Sequence, residues 1–251
     1  MDIDTTKSTI LPLLQEFHDI YKNRPIKENN GGMKATQCFW AWRLLKLLNP
    51  LVVIESGIWL GQSTWLIEMA CPNARIISID INLNIQQYKS KNTTYSKIDF
   101  NNNDWTEILG KEVCKNTVAF IDDHQDNYER LKHGFKHNIG HMIFEDNYPT
   151  PQGDVLSLKK IFSANYHIID SQGIRTRHEI PEEYKNNVKN MCDYFECPPI
   201  YLDTNITRWK DTFTEHNCKE PIFTSVEEEI IEIYKKDQLN YNYMGVVKLK
   251  I

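Results

Sequence analysis

The feature that most constrains this chain is a rhythm. Short apolar runs of strand length recur, each closes on an acid, and helical patterns separate them. Runs at 51–55, 75–79, 117–121 and 141–144 lead to Glu55, Asp80, Asp122-Asp123 and Glu145-Asp146. Weaker runs at 95–98 and 166–169 lead to Asp99 and Asp170. Between them, 63–70, 126–138 and 155–162 carry helical periodicity, with Tyr128, Leu131 and Phe135 on one face of the second. Strands alternating with helices predict an α/β fold with a largely parallel sheet covered on both faces. Parallel strands buried on both sides read as continuous apolar runs, as these do. An open, doubly wound sheet binds ligands outside the carboxyl ends of its strands. One Asp after a strand is often only a turn residue or a helix cap. A series of acids, two of them doublets, predicts several carboxylates converging on one crevice.

The flanks have a different character. Residues 5–22 read as an amphipathic helix with Ile10, Leu13, Leu14, Phe17 and Tyr21 on one face. A loop with Pro25, Asn29, Asn30, Gly31 and Gly32 follows, then a mostly buried helix over 33–48 that Asn49-Pro50 ends. Residues 171–221 break the rhythm with Pro181, Pro198, Pro199 and Pro221, and read as an insertion or lid. A helix over 225–236 and a half-exposed strand with Tyr241, Tyr243, Val247 and Leu249 close the chain. The expectation is one domain over 1–251. Residues 1–48 form a helical cover, 49–170 the core, 171–221 the insertion, and 222–251 a final helix and strand. The helical cover is expected to roof the site or to form a homodimer face.

Composition narrows the function. A chain that is 41% hydrophobic and 25% charged is not mainly disordered. A net charge of -5 lacks the basic footprint of a nucleic-acid binder. No apolar run approaches the roughly 18 residues of a membrane span. The opening MDIDTTKSTI has no basic region followed by an apolar one, so no signal peptide is expected. The six cysteines form no Cys-x-x-Cys pair, which suits reduced thiols in the cytoplasm.

The strongest local motif is Val53-Ile54-Glu55-Ser56-Gly57-Ile58-Trp59-Leu60-Gly61-Gln62-Ser63-Thr64. A strand enters a glycine turn and then a helix. Gly57 permits the turn, while Gly61 and Ser63 open a helix whose first N–H groups are free to meet a polar ligand. Neither G-x-G-x-x-G nor a P-loop Lys is present. Glu55, two residues before the first glycine, suits a ligand with a cationic amine. Asp80, on the next strand, suits the hydroxyls of a ribose.

Glu55, Gly57, Gly61 and Asp80 together resemble the first two motifs of the class I S-adenosylmethionine-dependent methyltransferases. The sparse E-x-G-x-x-x-G-x-S form resembles their metal-dependent O-methyltransferase branch, of catechol type or of macrocin and cephalosporin-hydroxylase-like type. Phe120-Ile121-Asp122-Asp123-His124 and Ile143-Phe144-Glu145-Asp146-Asn147-Tyr148 resemble that branch's fourth- and fifth-strand segments. The resemblance implies a Rossmann-like methyltransferase fold with a seven-stranded sheet. It implies S-adenosylmethionine held by Glu55, Gly57, Gly61, Ser63, Asp80 and Asp99. It implies a divalent cation on Asp122 and Asp146, with Glu145 and Asn147 competing for the third place. Three oxygen ligands suit Mg²⁺ rather than Zn²⁺. His124 is the candidate general base and Asp122 its catalytic neighbour, although the macrocin-like pattern sets the His three residues after the Asp, not two. Trp59 and Trp65 are assigned to the core, and His133, His137 and His141 to surface or packing roles. The implied activity is cytoplasmic O-methylation of a small-molecule hydroxyl, on a sugar or glycoside. Two other readings stand beside it. Asp80-Ile81-Asn82 and Asp122-Asp123 faintly resemble the acidic motif of metal-dependent nucleotide-sugar transferases. A methyltransferase-like binding protein without turnover is the third.

Overall fold

The computed structural model describes residues 2–150, 152–163, 165–169, 175–202, 206, 210, 212, 218–225, 231–235 and 243–251, with the backbone alone at 165–169, 175 and 177. Two helices open the chain, α1 (Lys7–Lys22) and α2 (Ala35–Leu48). Asn49 ends α2 in the left-handed conformation, φ 43°, just before Pro50. The alternating part follows: β1 (Val52–Ser56), α3 (Gln62–Ala70), β2 (Arg75–Ile79), β3 (Thr93–Ser96), α4 (Trp105–Leu109), α5 (Lys111–Cys114), β4 (Thr117–Ile121), α6 (Asn127–Lys136) and β5 (His141–Phe144). The remaining elements are α7 (Leu158–Ile161), β6 (Asn165–Ile169), β7 (Arg175–Glu179), α8 (Glu182–Met191), β8 (Cys192–Glu196), α9 (Glu232–Lys235) and β9 (Gly245–Leu249).

Seven strands form one sheet in the order β3-β2-β1-β4-β5-β9-β8. The five from β3 to β5 run parallel, and β9 is antiparallel to both its neighbours. The order reverses between β1 and β4, whose ends meet at Ser56 opposite Ile121. That is the switch point at which a doubly wound sheet opens a crevice.

Side-chain alternation along the strands builds two cores. Val53, Ile76, Val118, Phe120 and Ile143 face α1, α2 and α3, where Phe17, Phe39, Trp40 and Trp42 are fully buried. Val52, Ile54, Ile77, Ile79, Ala119, Ile121, Met142 and Phe144 face the other way, onto Phe100, Trp105, Leu131 and Val188. Each fully buried Phe or Ile contributes about 1.5–3 kcal/mol, so both layers are firmly held.

Four expectations change. The run at 166–169 is a strand, but β6 pairs antiparallel with β7 in a separate two-stranded sheet. The stretch read as an insertion supplies α8 and β8, and β8 extends the main sheet. The last strand is not half-exposed. Because β9 lies between β5 and β8 it is covered on both faces, with Lys248 its one exposed residue. The helix expected over 155–162 shrinks to α7, since Ser157 caps it through Lys160 N and Gly153 (φ 68°) turns the chain before it. Asp170, Tyr241 and, within 225–236, residues 226–230 and 236 lie outside the described residues. Among the described residues no helix is long and apolar enough to cross a membrane. All six cysteines are free thiols.

Candidate active site

A cavity of about 450 Å³ opens at the carboxyl ends of β1, β2 and β4. Gly57 makes it possible. Its φ is 92°, and a Cβ there would stand 1.8 Å from the Asp122 carbonyl oxygen, so only glycine lets β1 turn so close to β4. Gly61 has φ 97°, and a Cβ there would stand 2.4 Å from the Tyr88 carbonyl oxygen. Asp80 holds the same turn from β2. Its Oδ2 accepts from Ile58 N at 2.9 Å and Trp59 N at 3.1 Å, and its Oδ1 accepts from Asn82 N at 2.8 Å. A carboxylate has about four lone-pair sites, so about one remains for a ligand hydroxyl. The sequence reading had given Asp80 wholly to a ribose. In the structure it braces the turn first.

Glu55 and Ser63 stand behind this wall and are absent from the cavity lining. Glu55 points from β1 toward α3, where Thr64 Oγ1 donates to its Oε2 at 2.7 Å and Ser78 Oγ donates to the same oxygen. Burial raises its pKa to about 7, against the pull of the Ser63, Ser78 and Thr64 hydroxyls. Glu55 ties β1, β2 and α3 together through Oε2, while its buried Oε1 has no hydrogen-bond partner. The sequence places an acid correctly but cannot tell which side of a buried strand it faces.

Asp99 lines the cavity, but it is already engaged. Arg130, buried on α6, donates Nη1 and Nη2 to its two oxygens at 2.7 and 2.6 Å, and Nη2 also lies 2.9 Å from Asp123 Oδ2. The Arg130 guanidinium therefore holds the Asp99 carboxyl below its usual range. Arg130 is invisible as a site residue in sequence, because nothing local says that the first full turn of α6 faces β3 and β4. Trp59 corrects another expectation. It is 50% exposed at the cavity mouth with φ 50°, its Nε1 donating to Asn30 O at 3.2 Å. Trp65 is buried, as expected. Ile81, 84% exposed, lines the same mouth.

The acids after β4 and β5 meet at the other end. Asp122, His124 and Asp146 each bring one ligand-type atom to within 4.8 Å of the others. Asp146 is 3% exposed, yet neither carboxylate oxygen has a hydrogen-bond partner. A buried carboxylate without hydrogen bonds, approached by His124 Nδ1 at 3.6 Å, is costly, and a bound cation would satisfy it. The donor set of two carboxylates and an imidazole fits a divalent ion. Burial and the neighbouring acids push Asp122 well above the usual carboxylate range, and burial raises Asp146 despite His124 beside it.

The two contenders for the third place are both committed elsewhere. Asn147 Oδ1 accepts from Lys159 N at 3.0 Å and its Nδ2 donates to Tyr194 Oη at 2.6 Å, so it braces α7 against β8. Glu145 Oε1 accepts from Gln37 of α2, and burial followed by Asp122 and Asp146 pushes its pKa well up. His124 adopts φ 53° and its Nδ1 lies 3.3 Å from Asp154 Oδ2 and 3.6 Å from Asp146 Oδ2. The hydrogen bond to Asp154 leads in raising its pKa to about 9. At neutral pH the cation-free ring is thus an imidazolium, with no lone pair to take a proton. Asp154 sits on the loop that Lys160 pins from below, Nζ donating to Val155 O at 2.6 Å and Gly153 O at 3.1 Å. Sequence reading missed Asp154 and Lys160 because that loop carried a helical pattern. His133 and His137 pack against Asn103 and Asp104, as expected of them.

No protein-family model matches the chain, and no curated protein matches it. Solved structures do. The chain is similar to an apo structure of CmcI at 17% identity, over 68% of this chain and 69% of that one, with a TM-score of 0.44. It is similar to a putative O-methyltransferase from Klebsiella pneumoniae at 10% identity, over 96% and 90%, TM-score 0.46. It is also similar to an SAH-bound methyltransferase from Podospora anserina at 9% identity, over 95% and 88%, TM-score 0.45. The strand order itself, five parallel strands continued by an antiparallel β9 and then β8, is that of the Rossmann-like methyltransferase fold.

Proposed function

We propose that the chain is an S-adenosylmethionine-dependent O-methyltransferase that uses a divalent cation and acts on a small-molecule hydroxyl, such as that of a sugar or glycoside. The observation that carries the reading is one cavity whose lining runs from Asp80, flanked by exposed Trp59 and Ile81, to Asp122 and His124. A ligand with an apolar flat base, a diol and a reactive end suits those three surroundings in that order. S-adenosylmethionine supplies, when bound, an electrophilic sulfonium methyl, and a divalent cation supplies a Lewis acid that lowers the pKa of an acceptor hydroxyl.

The chain's own residues then have separate duties. Asp80 accepts from a ribose hydroxyl with its spare lone pair. Ile79, Ile81, Ile85 and Trp59 give the base an apolar wall and exclude water. Asp122 and Asp146 hold the cation, and Arg130 keeps Asp99 and Asp123 from adding their repulsion to that end. Holding acceptor and methyl donor in line supplies most of the remaining acceleration. Six free thiols suit a cytoplasmic enzyme.

The test is thermal unfolding with S-adenosylmethionine. At a hundredfold excess over Kd the ligand adds about 2.7 kcal/mol, roughly 5–10 °C for a chain of this size. A shift with a uridine or guanosine diphosphate sugar and none with S-adenosylmethionine would refute the reading. Asp80→Asn is expected to cost two quantities at once. Cofactor affinity falls at least about tenfold, since a hydrogen bond to a charged group is worth about 1.5–3 kcal/mol. Stability falls by about 1–3 kcal/mol because one of the two oxygens becomes an NH₂ group and the backbone N–H groups it served lose their acceptor. Calorimetric titration and urea unfolding read the two effects separately.

A further inference from the structure

We infer that His124 is a cation ligand, and that it makes the site select a borderline transition cation over Mg²⁺. The inference deepens the cation half of the proposed function and rests on that half alone, independently of methyl transfer.

Elimination on the page leads there. Asp146 presents two buried oxygens with no hydrogen-bond partner, one of them 3.6 Å from His124 Nδ1, and Asp122 lies beside it. A third protein ligand has to come from within reach. Asn147 is spent at both ends of its amide, on Lys159 N and Tyr194 Oη. Glu145 is drawn toward α2 by Gln37. His124 remains, with a ring nitrogen inside the 4.8 Å cluster. Its backbone takes φ 53° directly after Asp122-Asp123. Asp154 Oδ2 meets Nδ1 at 3.3 Å, and the same nitrogen lies 3.6 Å from Asp146 Oδ2. A carboxylate that holds Nδ1 fixes the tautomer and orientation of the ring and leaves Nε2 as the nitrogen that would take the cation. Asp154 is a positioning residue in this scheme, and Lys160 holds its loop.

Ligand chemistry then sets the cation. Three oxygen ligands favour Mg²⁺, which resists dehydration and gains little from imidazole. One imidazole with two carboxylates favours Zn²⁺, Fe²⁺ or Co²⁺. Replacing the expected oxygen by a nitrogen changes the preferred metal without changing the fold.

Titration calorimetry of the chelator-treated full chain with CoCl₂ and with MgCl₂, no cofactor or acceptor present, tests this. His124→Asn is the variant of choice, because Asn tolerates a positive φ and the half-exposed ring leaves no cavity. Wild type is expected to bind Co²⁺ at least about tenfold tighter than Mg²⁺. His124→Asn is expected to lose about tenfold or more in Co²⁺ affinity, to move less than about twofold in Mg²⁺ affinity, and to alter the visible absorption of bound Co²⁺. Asp154→Asn, a second exposed variant, is expected to weaken Co²⁺ by about tenfold. An unchanged Co²⁺ affinity and spectrum in His124→Asn would overturn the inference. So would equal binding of the two cations by wild type, or binding of neither. Co²⁺ binding through His124 in a chain that ignores S-adenosylmethionine supports the inference and overturns the methyl-transfer reading instead.

Discussion

Asp146→Asn is expected to abolish cation-dependent turnover, by about a thousandfold, while the folded chain keeps its cofactor site. The loss follows from the Lewis acid: a cation at the acceptor oxygen contributes several kcal/mol to the transition state, and about 4 kcal/mol is about a thousandfold. The sparing of the fold follows from the structure. Both Asp146 side-chain oxygens lack hydrogen-bond partners, so the amide breaks no hydrogen bond and gives up only the 3.6 Å approach of His124 Nδ1 to Oδ2. The bond that ties the loop, Asn127 Nδ2 to the Asp146 carbonyl at 3.1 Å, belongs to the backbone and survives. Asp146 has a raised pKa because burial penalises its charge. Removing that charge leaves the cation-free chain at pH 8 as stable as wild type or more so. Asp80, which braces the cofactor turn, is untouched. Turnover assays with cation titration, S-adenosylmethionine calorimetry and urea unfolding at pH 8 check the three parts. Full activity in Asp146→Asn would remove the cation from the mechanism.

Glu55 is expected to make the wild-type chain lose about 2–3 kcal/mol of stability between pH 5 and pH 8, and Glu55→Gln is expected to flatten that loss. The folded carboxyl has its pKa raised to about 7 from 4.5. An acid with a raised folded pKa stabilises most at and below its unfolded value. As pH rises past 4.5 the unfolded chain releases the proton freely while the folded chain must hold it or bury a charge. The loss is complete once pH passes about 7. At about 1.36 kcal/mol per pKa unit, a shift of this size between pH 5 and 8 gives that figure. Urea unfolding of both proteins at the two pH values reads it directly. The same variant tests the turn's logic. Since Glu55 bonds to Thr64 and Ser78 and does not line the cavity, Glu55→Gln is expected to bind S-adenosylmethionine within about threefold of wild type, the cost of well under 1 kcal/mol. A loss far beyond that would place Glu55 at the ligand after all.

These two residues also mark the limits of the sequence. Asp146 was legible as an acid at the sheet's carboxyl edge because it follows an apolar run, and a run of strand length in an α/β pattern ends at that edge whatever the details of packing. Glu55 was legible as an acid of the first strand, but its direction was not. Residues alternate across a strand, and a polar residue inside an otherwise apolar run has no local mark that tells solvent from a buried hydrogen-bond cluster. Thr64 and Ser78, on α3 and β2, decide the matter, and they are nine and 23 residues away.

The same division runs through the fold. Periodicity by itself determined the strands β1, β2, β4 and β5 and the helices α1, α2, α3 and α6 nearly to the residue, since an apolar run or an apolar face is a property of consecutive residues. It determined the parallel, doubly wound core and the crevice that receives Asp80, Asp122 and Asp146. Only the tertiary structure decided the partners. It set β9 between β5 and β8, which buried a strand that alternation had read as half-exposed. It gave Asp99 to Arg130, 31 residues on, Asn147 to Tyr194, 47 residues on, and His124 to Asp154, 30 residues on. Each of those pairings consumes a lone pair or an N–H that a motif had reserved for a ligand. A hydrogen-bonding group serves one geometry at a time, and which neighbour claims it depends on distances through space that no local pattern encodes.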